Sequence, residues 1–171
     1  MRPDTNPQTV LNNLFKHTAA QSTFPVNMLA LVDDIPRTVT LHVKTSRRTE
    51  WVNITHEVNR CVAASGVSAG ICHLYVPHTT AGITINEGDD PDVARDMEAA
   101  FDRMVPRDAG YKHYEGNSDS HIKATIVGCS QTVWIENGHL RLGRWQSIFF
   151  CEFDGPRNRE VHLKIAPDPV I

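Results

Sequence analysis

The 171-residue chain has little of what marks several common protein classes. Its four cysteines, Cys61, Cys72, Cys129 and Cys151, are widely spaced and form no CxxC pair. Neither a zinc knuckle nor a disulfide framework is indicated, and the thiols read as buried ones in a reduced, cytoplasmic protein. Long hydrophobic runs are missing. The apolar stretches are strand-sized, well short of the roughly 20 residues that cross a bilayer, so no membrane role is expected. The opening MRPDTNPQTVLNNLFKHTAAQ has no apolar core of the kind a signal peptide needs. Excess charge of one sign is absent too. With 17 Lys and Arg against 20 Asp and Glu, the net charge is −3. The concentrated positive field that a nucleic-acid backbone requires is not there, so no nucleic-acid partner is expected. There is no glycine-rich phosphate loop of the P-loop type either.

What is present begins with 40% hydrophobic residues, enough for a packed globular domain rather than a disordered chain. Nine histidines stand out in a chain of this length. Residues 1–35 carry Pro3, Pro7 and Pro25 and only a weak helical pattern at Val10, Leu11, Leu14 and Phe15. They read as an N-terminal extension, mobile or packed on a partner subunit. Residues 36–171 read as one compact domain.

Within that domain the text is largely β. TVTLHVKT alternates with period two, as do GICHLYVPH, AGITINE, HIKATIVG and REVHLKI. TVWIENGHLRLG reads as a hairpin turning at Asn137-Gly138. WQSIFFCEFDG is apolar on both faces and reads as a covered central strand that includes Gln146. One helix is expected over ITHEVNRCVAASG, with Thr55 as N-cap and Gly66 as stop. A second starts at Asp90-Pro91, carries Val93, Met97, Phe101 and Met104 on one face, and ends at Pro106. The expected fold is α+β, mostly β: packed antiparallel or mixed sheets, sandwich-like, with two helices in a single compact domain.

Three clusters carry candidate chemistry. In VPHTTAGITINEGDDPD, His78, Thr79 and Thr80 follow a strand, and Asn86 and Glu87 end the next one. In HYEGNSDSHIKA, His113 and His121 flank a loop with Asn117 and Asp119. Three neutral imidazoles, His78, His113 and His121, leave a ligand position open, which is the layout of a catalytic zinc. In the third cluster Gln146 is a polar amide in apolar text, and Arg157 and Arg159 suit a carboxylate or phosphate. Turn capping, exposed loop histidines and surface ion pairs are the plain alternatives.

Read together and in order, PHTTAGITINEGDDPDVARDM, YKHYEGNSDSHIKATIVG and VWIENGHLRLGRWQSIFFCEFDGPRNR resemble the YjbQ-like family, over roughly residues 37–166. The resemblance implies a homotrimer, a polar pocket near the subunit interface, and a secondary thiamine-phosphate synthase activity. That activity joins hydroxymethylpyrimidine diphosphate to thiazole phosphate and releases pyrophosphate. By matching position, the implied site contains Thr79, Asn86, Glu87 and Asp119 as catalytic groups. Thr80, Asn117, Gln146, Arg157 and Arg159 are its substrate-binding groups, with Lys123 as a further candidate for the substrate's phosphates, and His78, His113 and His121 are its metal ligands. The expected partner is a small anionic or phosphorylated substrate. The expected cofactor is a divalent metal, with histidines favouring zinc and the thiamine reaction favouring magnesium. A metal-dependent hydrolase of a small anion and a non-catalytic trimeric ligand-binding protein are the competing readings. Cys129 and Arg144 depart from the family pattern, where proline and a small residue are expected.

Overall fold

The computed structural model describes residues 37–169. The expected N-terminal extension, residues 1–35, lies outside the described residues. Eight strands and three helices are present among those described. β1 (Arg37–Lys44) and β2 (Glu50–Asn53) precede α1 (Thr55–Ser65). β3 (Ala69–Tyr75) and β4 (Ala81–Glu87) precede α2 (Pro91–Met104). α3 (Ser118–Val127) leads into β5 (Ser130–Glu136), β6 (His139–Leu140), β7 (Gln146–Glu152) and β8 (Asn158–Pro167).

The strands form a five-stranded sheet ordered β1-β8-β3-β5-β6 and a three-stranded sheet ordered β2-β7-β4. Every pairing is antiparallel. Period-two alternation sends Cys72, Leu74, Val161, Leu163 and Ile165 of the larger sheet inward. There they meet Ile83, Ile148 and Phe150 of the smaller sheet in one core. That sandwich-like packing is what the alternation anticipates. β7 is covered on its second face as well. Phe149 and Cys151 join Trp51, Phe101 and Phe153 in a second cluster, against which residues of α2 and α3 pack.

Several local expectations hold. Asn137 and Gly138 take positive φ at the β5–β6 turn. Gly66 caps α1 in the left-handed region, and the Asp90 carboxylate accepts from Asp92 N–H at the start of α2. Others need correction. Among the described residues there are three helices, not two, because HIKATIVG belongs to α3. Ile122, Ala124 and Ile126 alternate with Lys123 and Thr125 and so imitate a strand. In the helix, however, Ala124 is buried while Ile122 and Ile126 point outward. Asp119 and Lys123, four positions apart, share the inward side and form an ion pair, which the 3.6-residue period allows and a strand would not. Thr55 does not cap α1. Its hydroxyl accepts from Ile148 N–H and donates to Asn53. Met104 lies exposed at the end of α2 rather than on its packed face.

Candidate functional site

The site is built where β3 stops and α3 lies along β4. Val76 N–H donates to Cys129 C=O, and Ile83 N–H to Gly128 C=O, at 2.8 and 3.0 Å. These bonds dock the end of α3 on the sheet. Gly82 makes the approach possible. A Cβ there would meet Gly128 O at 2.7 Å and Val127 Cγ1 at 2.9 Å. The result is a cleft of about 440 Å³ lined by His78, Thr79, Ala81, His121, Thr125 and Cys129, with Ala124 and Gly128 at its floor.

His78 is held in one state. Its Nε2 accepts from Glu160 N–H at 2.9 Å. A nitrogen that accepts has its lone pair engaged, so the neutral ring carries its proton on Nδ1. Burial pushes the His78 pKa down, and the nearby Arg159 charge adds to that shift. His121 lines the same cleft, with the His113 ring edge-on to it at 5.3 Å between centroids. The structure thus brings His121 to His78 along one cleft and His113 to His121 by stacking. Among the described residues, no three His, Cys, Asp or Glu side chains are grouped so as to hold a metal ion. His113 and His121 offer two imidazoles to such an ion. His78 would join only through Nδ1, after losing its proton.

Beneath the cleft lie two ion networks. In the first, Glu152 is fully buried and accepts from Arg159 Nη2 and Nε at 2.6 and 2.7 Å. Phe153 and Asp154 N–H and the Thr45 hydroxyl complete its partners. Arg159 Nη2 also donates to Thr80 Oγ1 at 2.8 Å, which anchors the start of β4. In the second, Arg48 spans Asp119 and Asp154 at 2.8 and 3.2 Å. Buried Lys123 donates to Asp102 at 2.7 Å and to Asp119 at 3.4 Å. Burial alone would raise the Asp154 carboxyl. Hydrogen bonds from Arg157 and Asn117, with the charges of Arg157 and Arg48, outweigh burial and hold it below the usual carboxylate range. Asn117 donates its amide N–H to Asp154, and its Oδ1, which accepts no N–H of α3, is buried without a partner among the described residues.

The residues expected to act on substrate therefore divide. Lys123, Arg157 and Arg159 each already face a carboxylate. Thr80, Asn117 and Asp119 are buried in the same networks. Thr79 is exposed at the cleft wall. Asn86, Glu87 and Gln146 lie elsewhere. Glu87 is six residues beyond Ala81 on β4, about 20 Å along the strand. Asn86 Oδ1 accepts from Glu87 N–H, and Gln146 Oε1 from Gly143 N–H. Gln146 is exposed at the start of β7 rather than covered, because the doubly packed stretch begins only at Ile148. Beside it, the Arg144 guanidinium rests 5.0 Å from the centre of the exposed Trp145 ring.

Sequence reasoning missed Arg48 and Glu152, whereas Asp154 is where it offered a partner for Arg157. Glu152 had a signal: a lone carboxylate inside SIFFCEF must find a cation if that strand is covered on both sides. Arg48 had none, because its partners lie 71 and 106 positions away. The thiol reading also changes. Cys72 and Cys151 are buried, but Cys61 is only partly so and Cys129 is exposed in the cleft.

Comparison with known proteins places these features in context. The family model described as "UPF0047 protein YjbQ-like" matches residues 39–168. UPF0047 protein MJ1081 of Methanocaldococcus jannaschii is 51% identical over 126 residues, 74% of this chain and 91% of that protein. UPF0047 protein YugU of Bacillus subtilis is 50% identical over 127 residues, 74% of this chain and 96% of its own. Among solved structures, a YjbQ/UPF0047 protein from Clostridium acetobutylicum matches with a TM-score of 0.73 at 52% identity, covering 74% of this chain and 98% of its own. A protein from Sulfolobus solfataricus, described as YbjQ-like and of unknown function, matches with a TM-score of 0.76 at 31% identity, covering 79% and 99%.

Proposed function

We propose that this chain, which belongs to the YjbQ-like UPF0047 family, is an enzyme that performs acid–base chemistry on a small anionic substrate between His78 and His121. One observation carries the reading. Two imidazoles from different elements line one cleft, and one of them is fixed in tautomer and kept neutral. A neutral His78 presents Nδ1–H as a donor toward negative charge developing on a substrate. His121, on α3, is the group that gives or takes the proton. Positioned proton transfer of this kind is worth roughly 10²–10⁴-fold in rate. The Thr79 hydroxyl supplies a further donor at the cleft wall.

A divalent ion is a second reading, favoured by the stacking of His113 on His121. Two imidazoles suit zinc better than magnesium. Bound there, the ion would supply Lewis acidity, and further ligands would have to complete its shell. The thiamine-phosphate synthase expectation fits less well. Its diphosphate substrate needs free cations, whereas Arg157, Arg159 and Lys123 each face a carboxylate. A monoanionic or singly phosphorylated substrate suits the cleft better. Among the described residues no helix is long and apolar enough to cross a membrane.

The test follows the histidines directly. Imidazole proton resonances are assigned with His78→Gln, His113→Ala and His121→Ala, then followed on adding inorganic phosphate, with and without zinc. Zinc content is measured on untagged protein. A screen of phosphoester and ester hydrolysis accompanies it, together with magnesium-dependent condensation of hydroxymethylpyrimidine diphosphate with thiazole phosphate. The expected result is a shift of the His78 and His121 signals on phosphate addition and turnover that either substitution abolishes. Signals that ignore phosphate, with any turnover surviving both substitutions, would sink the proposal. Ligand binding without turnover would favour the non-catalytic alternative.

A further inference from the structure

We propose that the outer face of the β5–β6 hairpin carries a second binding site, where the Trp134 indole and the carboxylates of Glu136 and Asp168 take a small methylated-ammonium cation. The site is separate from the histidine cleft. It stands whether or not the chemistry proposed there holds.

Strand pairing builds the site. Trp134 and Glu136 are two positions apart on β5 and share its exposed face, while Val133 and Ile135 are buried on the other. Ile71 and Ala69 of β3 lie opposite them. On the far side, Arg141 N–H donates to Trp134 C=O at 2.8 Å, which sets Arg141 beside Trp134. Asp168 N–H donates to Ala69 C=O at 3.0 Å and brings the last carboxylate to the same place. These residues line a cleft of about 600 Å³, a size that suits a small molecule. Its walls are held before any ligand arrives. Gly138 N–H donates to Ser68 C=O at 2.9 Å and ties the hairpin turn to the start of β3. A site fixed in advance loses little entropy on binding.

The lining chooses the ligand. Trp134 is 72% exposed. The other exposed indole, Trp145, has the Arg144 guanidinium beside it, but among the described residues no cation or aromatic ring rests on Trp134. An uncovered indole face attracts a cation through the ring quadrupole. Charge points the same way. Two carboxylates, Glu136 and Asp168, meet one guanidinium in the cleft, and Glu136 already engages it at 3.1 Å from Arg141 Nε. Asp168 has no ion-pair partner among the described residues and is left to neutralise a ligand. An anion finds its only cation committed. A cation lying on an indole face meets no strong hydrogen-bond acceptor there, so a fully methylated ammonium, with no N–H to satisfy, fits best. A lipid headgroup carries the same cation, but Trp134 is the one large apolar side chain exposed among the residues lining the cleft. Docking on a membrane surface takes a broader apolar face. The ligand is therefore a free small molecule.

Choline chloride is titrated into the full chain, and the three indole N–H resonances are followed. Trp134→Ala assigns the reporting signal. 3,3-Dimethylbutan-1-ol, which has the shape of choline without its charge, is titrated in parallel, and phosphatidylcholine vesicles are tested by co-sedimentation. The expected result is a saturating shift of the Trp134 signal with a Kd on the order of 1 mM. Binding should be roughly tenfold weaker for the neutral alcohol and for choline with Trp134→Ala, because either change removes the cation–π contact. It should weaken roughly threefold in Asp168→Asn, and in wild type at high salt, since the carboxylate is exposed to screening. Three results would overturn the proposal. One is a Trp134 signal that ignores choline. The second is equal binding of the neutral alcohol, which would reveal an apolar groove only. The third is binding to the vesicles without binding of free choline. All three are read on wild-type protein and do not depend on how a variant folds.

Discussion

Replacing Arg159 with leucine should be among the most costly single changes in the domain. Arg159 is 7% exposed and Glu152 fully buried. Arg159→Leu removes two charge-assisted hydrogen bonds, at 2.6 and 2.7 Å, from a carboxylate with no access to water. Two backbone N–H groups and the Thr45 hydroxyl remain. They solvate the charge only in part. Removing one partner of a buried pair costs about 3–5 kcal/mol, because the other charge is left uncompensated. For a chain of this size that corresponds to a fall in Tm of roughly 6–20 °C. Urea denaturation of four proteins tests this: wild type, Arg159→Leu, Glu152→Met and the double variant. The double variant should recover most of the loss, since two apolar side chains replace the pair without stranding a charge. The effect should reach the cleft too. Without Arg159, Thr80 loses a donor and the His78 pKa rises toward its ordinary value. A loss below about 1 kcal/mol in Arg159→Leu, or a double variant as unstable as the sum of the singles, would refute the reasoning.

Three further outcomes are expected. The folded His78 pKa lies below its unfolded value of about 6.5, so the unfolded chain binds that proton more tightly. Stability should therefore fall as pH drops from about 6.5 toward the folded value and level off below it. Urea midpoints followed between neutral and mildly acidic pH should lose that segment of slope in His78→Gln. Gly82→Val should cost about 1–3 kcal/mol and weaken phosphate shifts at His121, because the new side chain pushes α3 off β4. Urea denaturation and imidazole resonances check the two effects. In thiol titration Cys129 should react at once, whereas Cys72, its pKa pushed up to about 12 by burial, and Cys151 should react only on unfolding.

The sequence reading recovered the framework where local signals and tertiary demands agree. Period two placed β1, β3, β4 and β8, Asn137-Gly138 placed the hairpin, and Asp90-Pro91 placed α2. It failed at α3, where β-branched residues alternate by chance and the deciding contact, Lys123 inward on Asp119, depends on the fold around it. The candidate site was legible as a set of residue types. Its arrangement was not. His78 and His121 line one cleft because Gly82 lets a helix lie on a strand, which no pattern around either histidine announces. Arg157, Arg159 and Lys123 looked like anion binders, since a cation in a sequence carries no mark of the carboxylate that will neutralise it.

α3 has a consequence for how such a cleft can change over evolutionary time. Its ten residues fall into interleaved stripes. Asp119 and Lys123 belong to the ion network that holds the domain together, and His121 and Thr125 belong to the cleft wall. Neighbouring positions thus answer to different selective pressures. On the proposed reading of the cleft, substitution at 121 or 125 would change what the cleft accepts with little cost to the ion network, whereas substitution at 119 or 123 would cost stability whatever the ligand. The helix thus keeps what lines the cleft apart from what holds the domain together.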